Sequence, residues 1–206
     1  MAQLPAVKVS RRGAERIAAG HLWIYASDVT DQGEAQPGDA VKVTGPRGRA
    51  LGTAHYSSTS QICLRMLSAE VEPIDGAFFL NRFRAALEHR QRIVSGTEAY
   101  RLVHAEGDLL PALIVDRYGD YLVVQTLDQG MDRAKADIIA ALTELLAPAG
   151  IVERNDATVR VKLPAGFELD QVALVVAEVE KQRQVAMVWI SQATFLTKRF
   201  YHYNGA

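Results

Sequence analysis

The sequence predicts an α+β protein in two parts: a small, curled β pseudo-barrel in the N-terminal third, followed by a small α+β sheet domain. Three observations predict it. Short alternating segments parted by glycine and proline turns fill residues 5–71, a long amphipathic helix follows at once, and strand-like runs then bracket a second such helix. With 206 residues and 49% hydrophobic content, the chain has enough apolar material for real cores.

Val7 and Val9 alternate with polar neighbours and predict a strand. Ser10 then caps a helix over about residues 11–19, with Ala14, Ile17 and Ala18 on one face and Arg11, Arg12 and Glu15 elsewhere. Gly20 stops it as a C′ glycine. HLWIY has the aromatic and β-branched content of a strand, in which Trp23, set between leucine and isoleucine, is expected to pack in the core. QPGD is a turn, AVKV a strand and GPRGRALG a hairpin connection. Ile62, Leu64 and Met66 alternate with Gln61, Cys63 and Arg65, the period of a half-buried strand.

Asp75 caps a long helix over about 76–94, whose expected inner stripe is Phe79, Phe83, Ala86, Leu87 and Ile93. Arg90 falls within that stripe. An unpaired buried charge is costly, so it is expected either to run its stem along the core and surface its head or to find a carboxylate partner among Glu106, Asp108 and Asp116, in a pair that is structural. YRLVHAE, ALIVDRYGD and YLVVQTL are three strands. MDRAKADIIAALTELLAPAG is one amphipathic helix with Ala134, Ile138, Ala141, Leu142 and Leu145 inside, and IVERND begins another strand. The expected division is residues 1–71 and 72–206, the latter ending in an atypical segment over about 171–206.

Charge is segregated. Lys and Arg against Asp and Glu give +2 over residues 1–30 and +3 over 76–104, but −8 over 105–180. A nucleic-acid partner is therefore expected on the N-terminal third, away from the acidic middle. No apolar run approaches the roughly 18 residues of a membrane span, so no membrane partner is expected. The start MAQLPAVKVSRR does not read as a signal peptide, and one cysteine cannot form an internal disulfide; together these predict the cytoplasm. The five histidines lack metal-ligand spacing and read as turn or surface residues, so no metal is expected.

GHLWIYASDV, PGDAVKV, GRALGTAHYSSTSQICLRMLS and YRLVHAEGDLLPALIVDRYGDYLVVQ together resemble the N-terminal portion of the bacterial 23S rRNA cytosine-5 methyltransferase family. The resemblance covers roughly residues 5 to 160 and is most specific over Arg101 to Gly119. It implies a PUA domain, an RNA-binding pseudo-barrel, then an α+β middle domain; in the family a Rossmann-like domain binding S-adenosylmethionine follows. Leu22 stands where the family usually has proline. No glycine-rich cofactor loop is recognisable, AGFELDQ at 165–171 is only a faint match to the family, and Cys63 on a barrel strand belongs to no catalytic motif. No cofactor and no catalytic residue are therefore expected in this chain.

The resemblance further implies that the first helix and the strand after it line a groove for RNA. The expected RNA-binding residues are Lys8, Arg11, Arg12, Arg16, Gly20 and His21, with Arg65 extending the surface from a neighbouring strand. Arginines from one helical turn suit phosphates, the glycine admits close backbone approach, and the histidine stacks or donates a hydrogen bond. Three functions stay open: an RNA-binding module for ribosomal RNA; the recognition part of an active methyltransferase; and a dimeric interaction module pairing through VALVVAEV and VAMVWI strand edges.

Overall fold

The computed structural model describes residues 4–155 and 158–162. The strand edges expected to pair in a homodimer, AGFELDQ and the whole of 171–206 lie outside the described residues.

Six strands build the first sheet: β1 (Ala6–Val9), β2 (Trp23–Tyr25), β3 (Val29–Asp31), β4 (Ala40–Thr44), β5 (Ala50–Tyr56) and β6 (Ile62–Ser68). Their order is β2-β6-β5-β4-β1-β3, with β1–β4 parallel and the other pairs antiparallel. Register shifts interrupt four of the five pairings, and bulges of this kind bend a sheet into the curled half-barrel expected. Inside the curl lie Val7, Val9, Ile24, Val41, Val43, Ala54 and Leu64.

Helix α1 (Arg11–Ala18) closes one end of this core. Ser10 caps it by accepting from the Gly13 N–H, and Gly20 ends it with φ +83°. The inner face is Gly13, Ala14 and Ile17, while Ala18 is exposed, contrary to expectation.

The second sheet runs β11-β10-β9-β8-β7, from β7 (Ala99–His104), β8 (Leu113–Tyr118), β9 (Tyr121–Thr126), β10 (Gly150–Asn155) and β11 (Thr158–Lys162). Helix α2 (Gly76–Ile93), capped by Asp75, packs Phe78, Phe79, Phe83 and Ala86 into its core, whereas Ile93 is exposed. Arg90 is paired as expected: it donates to Asp108 at 2.5 Å and to the Arg101 carbonyl at 2.8 Å. The expected helix after β9 is two, α3 (Gln129–Arg133) and α4 (Lys135–Leu146), meeting at Ala134. Asp128, capping α3 through the Met131 N–H, starts a separate turn that docks on the first sheet.

That docking changes two expectations. Strand β6 is buried on both faces rather than half-buried, because Leu67 enters the core of the second sheet while Leu64 fills the first. His55, expected at a turn or the surface, is 3% exposed on β5 beneath Gly130 of α3. A Cβ at Gly130 would overlap the imidazole, so only glycine lets α3 come this close. Around this contact, Gln129 Oε1 accepts from Ser57 Oγ (3.2 Å) and Ser58 N (3.1 Å), and Arg133 donates to Asp39 at 2.7 Å.

Burial, and secondarily the Arg65 charge, push the His55 pKa from 6.5 to about 4. Between those values the unfolded chain binds a proton that the folded one refuses, so stability falls as pH falls, by about 3 kcal/mol at most. Urea unfolding at pH 7 and pH 4.5 checks this against His55→Gln: the wild type should lose about 2–3 kcal/mol relative to the variant at the lower pH. An equal change in both proteins would mean that His55 protonates freely in the fold.

Candidate nucleic-acid interface

The three arginines of α1 do not stand free. Arg12 Nε donates to Asp28 Oδ1 at 2.6 Å, and Arg16 Nε lies 3.6 Å from Oδ2 of the same carboxylate. Asp28 is 1% exposed, and Ser10 Oγ also donates to its Oδ1, at 3.2 Å. Gly13 permits this arrangement, since a Cβ there would press on Val9 and Asp28. Arg11 pairs with Glu15 one helical turn on, at 2.8 Å and in solvent. The helix face is therefore a partly compensated one: Asp28 offsets one of two guanidinium charges and Glu15 offsets Arg11. Arg12 is tied to structure as well as presented to solvent, at 63% side-chain exposure.

Beside α1 opens a groove of about 310 Å³ lined by Arg16, Gly20, His21, Leu22, Trp23, Tyr25 and Glu106. It gathers three of the expected residues, Arg16, Gly20 and His21. Around Gly20 there is open space where a Cβ would sit, and His21 is exposed. Trp23 corrects the expectation of core packing: it is 40% exposed, because β2 is an edge strand whose inward residue is Ile24. Its indole Nε1 donates to Glu106 Oε1 at 2.8 Å, which fixes the ring against the second sheet's domain. The Arg16 guanidinium lies 5.2 Å over the Tyr25 ring. A fixed indole, a guanidinium stacked on a phenol and a histidine make a surface suited to unstacked bases.

Arg65 stands opposite Trp23 in the β2–β6 register but lines a second cleft, between the two sheets, where it meets Asp128 at 3.5 Å. Burial raises the Asp128 pKa, and nearby Glu106 raises it further, against the pull of the Met131 and Gly130 N–H groups and of Arg65. Lys8 is exposed on β1 opposite Asp31 and Thr44, and lines neither cleft. Sequence reasoning missed Asp28, Tyr25 and Asp128, and misplaced Trp23. Cys63 is buried in β6 with its thiol pKa raised by burial, as a packing residue would be. Among the described residues no cluster suited to a metal occurs, and no helix is long and apolar enough to cross a membrane.

Comparison with known proteins agrees with this architecture. The PUA-like domain family matches residues 7–69. The ribosomal RNA large subunit methyltransferase I of Tolumonas auensis is 38% identical over 146 residues, 69% of this chain and 37% of that protein. The Vibrio cholerae protein of the same name is 35% identical over 161 residues, 77% of this chain and 41% of its own length. A Streptococcus mutans structure assigned as a SAM-dependent methyltransferase superposes with a TM-score of 0.70 at 17% identity, over 80% of this chain and 44% of the other, which shows a shared fold. The chain thus spans about two fifths of the length of these relatives, and its N-terminal sheet is a PUA-like domain followed by a small α+β domain, related to the corresponding part of the rRNA methyltransferases.

The Asp28 network separates two arginines by role. Arg12→Ala withdraws the closest partner from a buried carboxylate and should cost about 1.5–3 kcal/mol, whereas Arg11→Ala, losing an exposed pair, should stay within about 0.5 kcal/mol. Urea titration of the two variants checks the difference; equal costs would show that Asp28 does not need Arg12.

Proposed function

We propose that this chain is an RNA-binding module whose ligand is ribosomal RNA, contacted by a domain comprising residues 1–71 through the groove between α1 and β2. A second domain, residues 72–206, contributes Glu106 to the rim of that groove. The observation that carries the reading is Trp23, a large aromatic held in the open by Glu106 on a PUA-like edge strand. A ring already fixed in place loses little freedom when a base stacks on it. Arg16 and His21 flank it, and Arg11 and Arg12 stand in solvent where a phosphate backbone leaving the groove would pass.

Kinship with rRNA methyltransferases supports ribosomal RNA as the ligand class. We assign no methyl-transfer step to them. The chain's one cysteine is a buried strand residue with a raised pKa, the opposite of an activated nucleophile. S-adenosylmethionine belongs in this reading to the relatives' further length, and a partner supplying methyl transfer would act on RNA presented by this groove.

Filter binding of 23S rRNA fragments over a salt series tests the reading. Affinity should fall steeply with salt, Trp23→Ala should weaken it about tenfold to a hundredfold at every salt concentration, and Arg11→Gln should reduce the salt slope by about one. Unchanged affinity in Trp23→Ala would remove this groove from RNA recognition.

A further inference from the structure

We infer that the cleft between the two sheets is a second contact site on the RNA, one that takes an unpaired nucleobase bearing an exocyclic amino group; it rests on the RNA reading above. The cleft measures about 400 Å³, within the range of small-ligand sites. One wall is the hydroxyl-rich loop of Ser57, Thr59 and Ser60, and the other is Leu127, Asp128 and Gln129. The Asp128 side chain is 2% exposed. Its Oδ1 accepts the Met131 N–H at 2.7 Å, but among the described residues Oδ2 accepts no hydrogen bond and lies 3.5 Å from the Arg65 guanidinium. A buried carboxylate oxygen with unused acceptor capacity is costly, and an N–H entering through the cleft would satisfy it.

Charge decides which part of a nucleotide enters. Arg65 lines the cleft with Asp128 and Asp132, but its charge is matched by Asp128, and that of Asp132 by Lys135 at 2.5 Å, so a phosphodiester would find no uncompensated cation there, whereas an amino-bearing base edge brings donors to an acceptor. Leu127, 52% exposed, offers an apolar contact for the base face. The path is short: Arg65 is the cross-strand neighbour of Trp23, one strand spacing of about 5 Å away, so a strand stacked on the indole continues toward the cleft.

The test is fluorescence anisotropy with labelled nine-nucleotide oligoadenylate, oligocytidylate and oligouridylate. The wild type should bind the adenine and cytosine oligomers about tenfold tighter than the uracil oligomer, since one good base contact is worth about that factor. In Asp128→Asn the side-chain oxygen keeps the cap on Met131 while a donor replaces Oδ2, so the preference should collapse to less than about twofold. Thr59→Trp adds bulk from an exposed position and keeps Asp128; it should bring adenine and cytosine binding down to the uracil level and leave uracil binding unchanged. Melting temperatures verify that each variant is folded, and Thr59→Trp carries the test should Asp128→Asn fail to fold. Equal binding of all three oligomers by a wild type that still depends on Trp23 overturns the cleft alone, as does a preference that survives Thr59→Trp. No salt-dependent RNA binding by the wild type overturns the RNA reading and the cleft with it.

Discussion

The close approach of α3 to β5 governs the rest of the structure. Gly130 sits against the His55 ring with no space for a side chain, and this contact fixes the distance between the two sheets. From it follow the burial of both faces of β6, the ion pair of Arg65 with Asp128 across the gap, and the reach of Glu106 to the Trp23 indole. None of these is a local property of either domain. Each exists because the two sheets are held against each other by a five-residue helical turn.

That constraint accounts for how the candidate site is made. A PUA-like half-barrel alone would leave Trp23 on a three-residue edge strand, free to rotate. Glu106, contributed from the short turn after β7, holds it. The second domain thus acts on the first domain's groove through one hydrogen bond at its rim, and on the second cleft by supplying a whole wall. Basic charge plays a smaller part than the arginine count suggests, because Asp28 and Glu15 offset much of what α1 presents.

Local signals were legible in the sequence, and relations between distant segments were not. Ser10, Asp75 and Gly20 marked helix ends because capping depends on neighbours within three residues. The pairing of Arg90 with Asp108 could be anticipated because a charge in an apolar stripe demands a partner nearby. Asp28, by contrast, follows Ser27 in what reads as an ordinary turn, and only the packing of α1 over it makes it a buried anchor. His55 alternates with apolar residues in a strand whose second face is covered solely by docking. Trp23 looked like core because its neighbours are apolar, and strand order, which sequence does not carry, put it at an edge.

The measurement that bears most directly on the location of RNA is photocrosslinking of 4-thiouridine-labelled rRNA fragments, with the attached peptides identified by mass spectrometry. Crosslinks concentrated on residues 11–25, with a second set at 57–65 or 126–129, are the result predicted by two clefts flanking the Trp23–Glu106 contact. Crosslinks concentrated instead on α4 or on β7 to β10 of the second sheet would contradict it, and would place RNA on the domain that these contacts assign to support.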